Sequence, residues 1–198
     1  MPSIQKVAVI GSGVMGSGIA AQAANAGLEV VLLDIVAQEG SDRDAVAKGA
    51  IQRMRKTNPA PLMHPRNAAR IRPGNLDDHL DWLADCDLVI EAVLENLEIK
   101  KDLYQKVDAH RRAGCIVTSN TSTIPLDHLV ADMPEDFRQH FAVTHFFNPP
   151  RYMRLLELVA GPDTQAKVIT ALRHFGDRLL GKSVVDCKDT PGFIANRI

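Results

Sequence analysis

Apolar residues along this chain fall into short continuous runs, which alternate with longer stretches where apolar positions recur at helical spacing. A short apolar run is typical of a buried strand, and helical spacing is typical of a helix packed on one side. The predicted strands are residues 6–10, 29–33, 69–72, 87–93, 115–119, 141–147, 155–159 and 183–186. The predicted helices are residues 14–26, 42–56, 76–84, 97–110, 125–131, 164–180 and 193–198.

Strands that alternate with helices predict an α/β fold with a doubly wound, mostly parallel sheet and helices on both faces. Ligands of such sheets bind beyond the carboxyl ends of the strands. Polar side chains follow several of these predicted ends, among them Asp34, Glu95, Ser122 and His145. Their convergence at one edge of the sheet predicts a functional site there.

The turn between the first strand and the first helix is rich in glycine. It consists of Gly11, Ser12, Gly13, Val14, Met15 and Gly16. Glycines at these positions allow a tight turn, a close approach of the backbone to a phosphate and close packing of the helix. The free N–H groups at the start of the helix favour an anion. The motif is weak alone, but its strand–turn–helix context predicts nucleotide binding in a Rossmann-type domain.

Asp34 ends the second predicted strand, 18 residues after Gly16. An acid at this position can accept hydrogen bonds from the ribose of adenosine. The residues that follow it, Ile35 and Val36, carry no positive charge for a 2′-phosphate, so NAD is favoured over NADP. The alternative for Asp34 is a solvated acid at a strand end.

Composition narrows the class of protein. The chain has 198 residues, 45% hydrophobic and 24% charged, with a net charge of −1, which suits one sizeable α/β domain. The near-neutral charge indicates neither a nucleic-acid nor a membrane partner, and no apolar run approaches the roughly 18 residues of a membrane helix. With no signal peptide and three widely spaced cysteines, we expect a cytoplasmic protein. No histidine or cysteine pair has metal-ligand spacing, so no metal is predicted.

His145 ends an apolar strand, and Glu157 lies 12 residues on, in the next strand. A carboxylate bound to one ring nitrogen fixes the tautomer, and the other nitrogen can then exchange a proton with a substrate oxygen. Spacing alone leaves alternatives open. His145 can be structural, and Glu157 can pair with Arg151 or Arg154. Ser122 can simply cap the next helix.

Several segments together resemble the 3-hydroxyacyl-CoA dehydrogenase family, in order and over almost the whole chain. They are GSGVMGSGIA (11–20), VLLD (31–34), IEAVLENLEIKK (90–101), SNTST (119–123), HFFNPP (145–150), LLELV (155–159) and KDTPGFIANR (188–197). The resemblance implies that His145 is the catalytic histidine and Glu157 its orienting carboxylate. It further implies that Ser122 bonds the substrate oxygen and that Asn196 completes the catalytic group.

For the cofactor, the resemblance implies NAD, bound by the glycine-rich turn and Asp34. Glu95, Lys100, Ser122 and Asn148 match further cofactor-contacting positions. The implied reaction interconverts L-3-hydroxyacyl-CoA and 3-ketoacyl-CoA in fatty-acid β-oxidation. Alternatives are a dehydrogenase of a hydroxy acid without CoA and a non-catalytic NAD-binding module.

The resemblance also divides the chain into an NAD-binding domain, residues 1–188, and the first helix of an all-helical domain, residues 189–198. Residues 35–65 keep little of the family pattern and are most similar to long bacterial fatty-oxidation proteins, so no CoA contact is assigned. We expect an excised fragment that binds NAD with little or no turnover, and a homo-oligomer when the protein is full length.

Overall fold

A computed structural model describes residues 4–197 as an eight-stranded sheet flanked by helices. The strands are β1 Lys6–Ile10, β2 Glu29–Asp34, β3 Ile71–Asn75, β4 Leu88–Glu91, β5 Ile116–Ser119, β6 Phe141–Phe146, β7 Leu155–Ala160 and β8 Ser183–Cys187. Their order is β3-β2-β1-β4-β5-β6-β7-β8. Neighbouring strands are parallel except β6 and β7, which are antiparallel. The order reverses between β1 and β4, which opens a crevice at the carboxyl ends of these strands.

The helices cover both faces of the sheet. They are α1 Val14–Asn25, α2 Ala45–Met54, α3 Leu97–His110, α4 Leu126–Val130, α5 Glu135–Gln139 and α6 Ala166–His174. A π-helical segment, Phe175–Leu179, extends α6, and short 3₁₀-helices span Pro65–Arg70 and Leu80–Asp85. One apolar core lies under α1, α2 and α6, and the other under α3, α4 and α5. The predicted doubly wound, mostly parallel fold is confirmed.

Two local predictions around the edge strand β3 are wrong. The strand was expected to stop before Pro73, but it runs on to Asn75. A proline is tolerated there because β3 pairs on one side only, with β2. The helix expected from residue 76 begins as a 3₁₀-helix only at Leu80, because the side chain of Asn75 accepts the N–H groups of Asp77 and Asp78 and forms a turn.

The end of the chain also differs from the prediction of a helix over residues 193–198. Residues 191–196 form turns, and Ile198 lies outside the described residues. The N–H groups of Ile194 and Ala195 bind the Glu157 carboxylate instead of helical carbonyls. The division into domains 1–188 and 189–198 stays a prediction, and its first three residues also lie outside the described part.

Close backbone contacts hold α1 against the glycine-rich turn and against the turn after β6. A Cβ added to Gly16 would lie 1.8 Å from the carbonyl oxygen of Gly11, and one added to Gly18 would lie 2.7 Å from Cδ of Pro150. Gly11 has a φ of 98°, which disfavours any side chain. Gly16 and Gly18 therefore allow α1 to pack closely against both turns.

Within residues 4–197, no helix combines the length and the apolar character needed to cross a bilayer.

We expect Gly16→Ala to destabilise the protein by about 1–3 kcal/mol or more, because the new methyl group would overlap the Gly11 carbonyl. Gly13→Ala is the matched control, since a Cβ there meets nothing within 4 Å, and its cost should stay below about 1 kcal/mol. Urea unfolding measures both. Equal stability of the two variants would show that the close approach is not a constraint.

Candidate active site

An open cleft of about 760 Å³ lies at the carboxyl ends of the central strands. Seven residues predicted from the sequence line it: Gly11, Gly13, Val14, Met15, Asp34, Glu95 and Ser122. Sequence reasoning missed an apolar wall from three other elements, made by Ile35, Leu76, Ile99 and Leu103. The four-residue spacing of Ile99 and Leu103 on α3 was the only signal for it.

Large apolar side chains at this cleft face solvent. Val14 is 71% exposed, Ile35 57% and Leu94 75%. Apolar side chains clustered around a concavity are characteristic of a ligand site rather than of ordinary surface. The cleft is therefore the place where this chain would bury a flat, partly apolar ligand.

Asp34 is held in one orientation at the end of β2. Its Oδ2 accepts hydrogen bonds from the Ser12 backbone N–H at 2.5 Å and the Ser12 hydroxyl at 2.6 Å. Its Oδ1 accepts from the N–H of Ile35 at 2.7 Å. Ser12 is itself buried. Because a carboxylate has about four acceptor positions, Asp34 keeps acceptor capacity for a ligand on its cleft side.

A buried polar cluster lies under the loop that follows β4. Glu91 accepts hydrogen bonds from Lys100 Nζ at 2.6 Å, from the Tyr104 hydroxyl at 2.7 Å and from the Ser119 hydroxyl at 2.7 Å. The side chain of Lys100 is only 1% exposed, and its Nζ lies 3.4 Å from Glu95 Oε2. The predicted cofactor contact of Lys100 stays a prediction. In this arrangement its ammonium group forms an ion pair with Glu95.

Glu95 holds the loop that carries Ser122. One oxygen, Oε1, accepts the Thr121 hydroxyl at 2.5 Å, the Ser122 N–H at 3.1 Å and the Thr123 N–H at 3.2 Å. Burial raises the pKa of Glu95, but these hydrogen bonds and the Lys100 charge outweigh burial, and the net pKa lies below the usual value. Glu95 is thus an ionised clamp that positions Ser122 at the cleft.

His145 and Glu157 face each other across the antiparallel pair β6–β7. The strand register pairs the two residues directly, so their side chains lie on the same face of the sheet. His145 Nδ1 lies 2.8 Å from Glu157 Oε2, and both residues are buried. Phe147 and Phe193 flank the imidazole, with ring centroids 4.5 and 5.6 Å away.

The remaining oxygen of Glu157 is also occupied. Oε1 accepts the N–H groups of Ile194 at 3.0 Å and Ala195 at 2.9 Å. Burial raises the pKa of Glu157, but the hydrogen bonds from His145 and the two amides outweigh it, and the pKa is lowered. An ionised carboxylate only accepts hydrogen bonds, so a neutral His145 carries its proton on Nδ1 and leaves Nε2 as a base.

The other predicted site residues are less directly joined to this pair. The Ser122 carbonyl accepts the N–H of Gly192 at 3.0 Å. Asn148 is exposed in the turn after β6, and Lys182 Nζ supports this turn by donating to the carbonyl of Met153 at 2.7 Å. Asn196 is exposed, and within residues 4–197 no hydrogen bond joins its side chain to His145 or Glu157.

Residues 6–190 match the sequence profile described as 3-hydroxyacyl-CoA dehydrogenase, NAD binding domain. The chain belongs to this family. The resemblance stated from the motifs is confirmed, and the cofactor is NAD.

Relatives in this dehydrogenase family extend well beyond the matched region. A putative fatty acid oxidation complex trifunctional enzyme of Rickettsia felis is 49% identical over 98% of this chain and 27% of its own length. A probable 3-hydroxyacyl-CoA dehydrogenase of Deinococcus radiodurans is 46% identical over 98% of this chain and 56% of its own. The chain therefore spans about a quarter to about half the length of these curated relatives.

A solved structure supports the same assignment. The 3-hydroxybutyryl-CoA dehydrogenase of Escherichia coli K12 superposes with a TM-score of 0.82 at 36% identity. The match covers 98% of this chain and 40% of that one.

The residues present fit the NAD of this dehydrogenase family. A Cβ at Gly13 would meet nothing within 4 Å, so the backbone at the start of α1 is open to the cleft. The N-cap of α1 makes no side-chain hydrogen bond, which leaves its first N–H groups for a pyrophosphate. The oriented Asp34 and the apolar wall complete a nucleotide-shaped site. Among residues 4–197, no three His, Cys, Asp or Glu side chains are grouped to hold a metal.

We expect Glu157→Gln to lower the free energy of unfolding by about 1.5–3 kcal/mol at pH 7, because it weakens hydrogen bonds to a buried charge. The folded pKa of Glu157 is lowered. Its contribution is therefore fully present above about pH 4.3, the usual glutamate pKa, and is lost as pH falls through the folded pKa. Urea unfolding at intervals from pH 7 down to about pH 3 measures this loss.

Glu29→Gln is the matched control, since Glu29 is an exposed residue on β2. Its effect should be small throughout this pH range. A Glu157→Gln effect that does not decline at all between about pH 4.3 and pH 3 would contradict a hydrogen-bonded Glu157 with a lowered pKa.

Proposed function

We propose that this chain is the NAD-binding part of an enzyme that interconverts L-3-hydroxyacyl-CoA and 3-ketoacyl-CoA in fatty-acid β-oxidation. The observation that carries the proposal is the buried His145–Glu157 pair, at the same sheet edge as the NAD cleft. The names of the relatives, fatty acid oxidation complex and 3-hydroxyacyl-CoA dehydrogenase, support the substrate class. When bound, NAD supplies the hydride acceptor for oxidation of the substrate alcohol.

In this proposal the chain's own residues manage the proton. Nε2 of His145 takes the proton of the substrate hydroxyl, and Glu157 stabilises the resulting imidazolium through Nδ1. Ser122 bonds the substrate oxygen, and Glu95 keeps its loop in place. By the resemblance alone, Asn196 completes the catalytic group.

The cofactor site is proposed from both the motif and the cleft. The glycine-rich turn, Gly11 to Gly16, receives the pyrophosphate and Asp34 the adenosine ribose. The wall of Ile35, Leu76, Ile99 and Leu103 covers the adenine. Glu95, Lys100, Ser122 and Asn148 form or support the nicotinamide end.

The greater length of the relatives supports a further part of the proposal, that the acyl-CoA site is completed by residues of a longer protein. By the resemblance alone, that longer protein is a homo-oligomer. The three cysteines are free, as is usual in the reducing cytoplasm, and this supports a cytoplasmic location.

We expect Asp34→Ala to weaken NADH binding about tenfold or more, equivalent to about 1.4 kcal/mol, because the ribose loses its oriented acceptor. Calorimetric titration with NADH measures the affinity, and NADPH should bind more weakly than NADH. Asp81→Ala is the matched control on an exposed aspartate and should bind NADH as the original chain does. Equal affinity of the Asp34→Ala variant, or tighter binding of NADPH, would overturn the cofactor assignment.

We expect His145→Gln to lower the turnover of acetoacetyl-CoA with NADH by about 10²–10⁴-fold, because the proton donor and acceptor is lost, while NADH affinity is kept. NADH absorbance reports turnover, which we expect in a longer product of the same gene and at little or no rate in this chain alone. If the longer product turned over free hydroxy acids and not acyl-CoA, the proposed substrate class would be wrong. NADH binding without any turnover in the longer product would show a non-catalytic module.

A further inference from the structure

Residues 189–196, here called the strap, follow the last strand of the sheet and contact the loop of Ser122 and the side chain of Glu157. Asp189 Oδ2 accepts the N–H of Leu126 at 2.9 Å, which joins the start of the strap to α4. Gly192 donates its N–H to the Ser122 carbonyl at 3.0 Å. This bond joins the middle of the strap to residues 120–123, here called the serine loop. The strap is therefore attached to the cleft side of the domain before it reaches His145.

The end of the strap is attached to the acid–base pair itself. The N–H groups of Ile194 and Ala195 converge on Oε1 of Glu157, whose Oε2 holds His145 Nδ1. Two amides on one oxygen fix the plane of the carboxylate, and the plane of the carboxylate fixes the direction in which it receives the imidazole N–H. The strap thus takes part in orienting His145 through Glu157.

Phe193 lies between these attachment points in an unusual backbone conformation. Its φ is 48°, in the left-handed region that disfavours a bulky side chain. Its side chain is nonetheless buried, at 3% exposure, with its ring 5.6 Å from the His145 ring. A strained residue persists only where its surroundings determine it strongly, and such residues cluster at functional sites.

We propose that Phe193 is a positioning residue for His145. Its ring is one of two aromatic rings that lie beside the imidazole, the other being Phe147, with centroids 5.6 and 4.5 Å from His145. The left-handed turn at Phe193 aims the next two N–H groups at Glu157. Together the ring and the amides hold the imidazole in the tautomer that leaves Nε2 free.

The proposal goes beyond the family assignment, and it rests on the proposed role of His145 as the base. It predicts that a smaller side chain at residue 193 removes the ring beside the imidazole and also loosens the two amides bound to Glu157. The imidazole then rotates and exchanges its proton between Nδ1 and Nε2. The NADH cleft, which contains none of the strap residues, is unaffected.

The test is ¹⁵N NMR of the His145 imidazole near pH 8, where imidazoles are ordinarily neutral, with the signals assigned by their loss in His145→Gln. The original chain should show separate signals from a protonated Nδ1 and an unprotonated Nε2. Phe193→Ala should lose this separation and show averaged signals. Phe193→Leu, which keeps most of the volume, should restore it.

Phe137→Ala is the matched control, since Phe137 is an equally buried ring that packs on Tyr104 and Phe141. It should lose stability but keep the His145 signals. If either alanine variant fails to fold, valine replaces alanine at both positions with the same expectations. A folded Phe193→Ala variant, or its valine replacement, with unchanged His145 signals would overturn the positioning role. A Phe137 control that shows the same averaging would also overturn it.

NADH affinity, measured by calorimetry on the same samples, separates this inference from the proposed function. Unchanged affinity in Phe193→Ala together with averaged His145 signals supports both. Averaged signals in a chain that never binds NADH would reject the proposed function and leave the positioning role standing. Loss of NADH affinity in Phe193→Ala would overturn the inference, because the strap would then act on the whole domain.

Discussion

The site depends on one buried carboxylate, Glu91, at the carboxyl end of a central strand. Leaving a charge there without partners would cost several kcal/mol. The fold supplies three side-chain partners from two elements, Lys100 and Tyr104 on α3 and Ser119 on β5. Burial together with the Glu91 charge raises the pKa of Tyr104, so its hydroxyl stays a donor. The cluster sets the position of α3 and β5 relative to β4. The loops that follow β4 and β5 are therefore positioned relative to each other.

The serine loop joins the two halves of the site. On one side the Glu95 carboxylate accepts hydrogen bonds from the N–H groups of the loop. On the other side the Ser122 carbonyl accepts the N–H of Gly192 in the strap. The parallel half of the sheet provides the NAD cleft, as doubly wound sheets do at their switch point. The change of direction between β6 and β7 then adds the His145–Glu157 pair. The NAD cleft and the His145–Glu157 pair are thus connected through one loop, although they lie on different strands.

Much of this arrangement was predictable from local pattern. The glycine-rich turn, the strand that ends at Asp34 and the alternation of strands and helices have strong signals, because each depends on residues close together in the chain. The motifs also identified the family. Sequence pattern failed at β3 and at Leu80, where an edge position and an Asn75 turn override the expected stop and start. It failed again at residues 191–196, where Glu157 captures the amides that a helix would use.

The sequence by itself determined the fold class, the NAD-type turn and the identities of the residues with suitable chemistry. Only the tertiary structure decided which of them meet. A separation of 12 residues allows His145 and Glu157 many arrangements, and the antiparallel register selects one. Lys100 was assigned from its motif, but packing buries its ammonium against Glu91. Phe193 lies in the KDTPGFIANR motif, but the sequence assigned it no role. Its position beside His145 results from contacts with residues distant in the chain, which local periodicity does not encode.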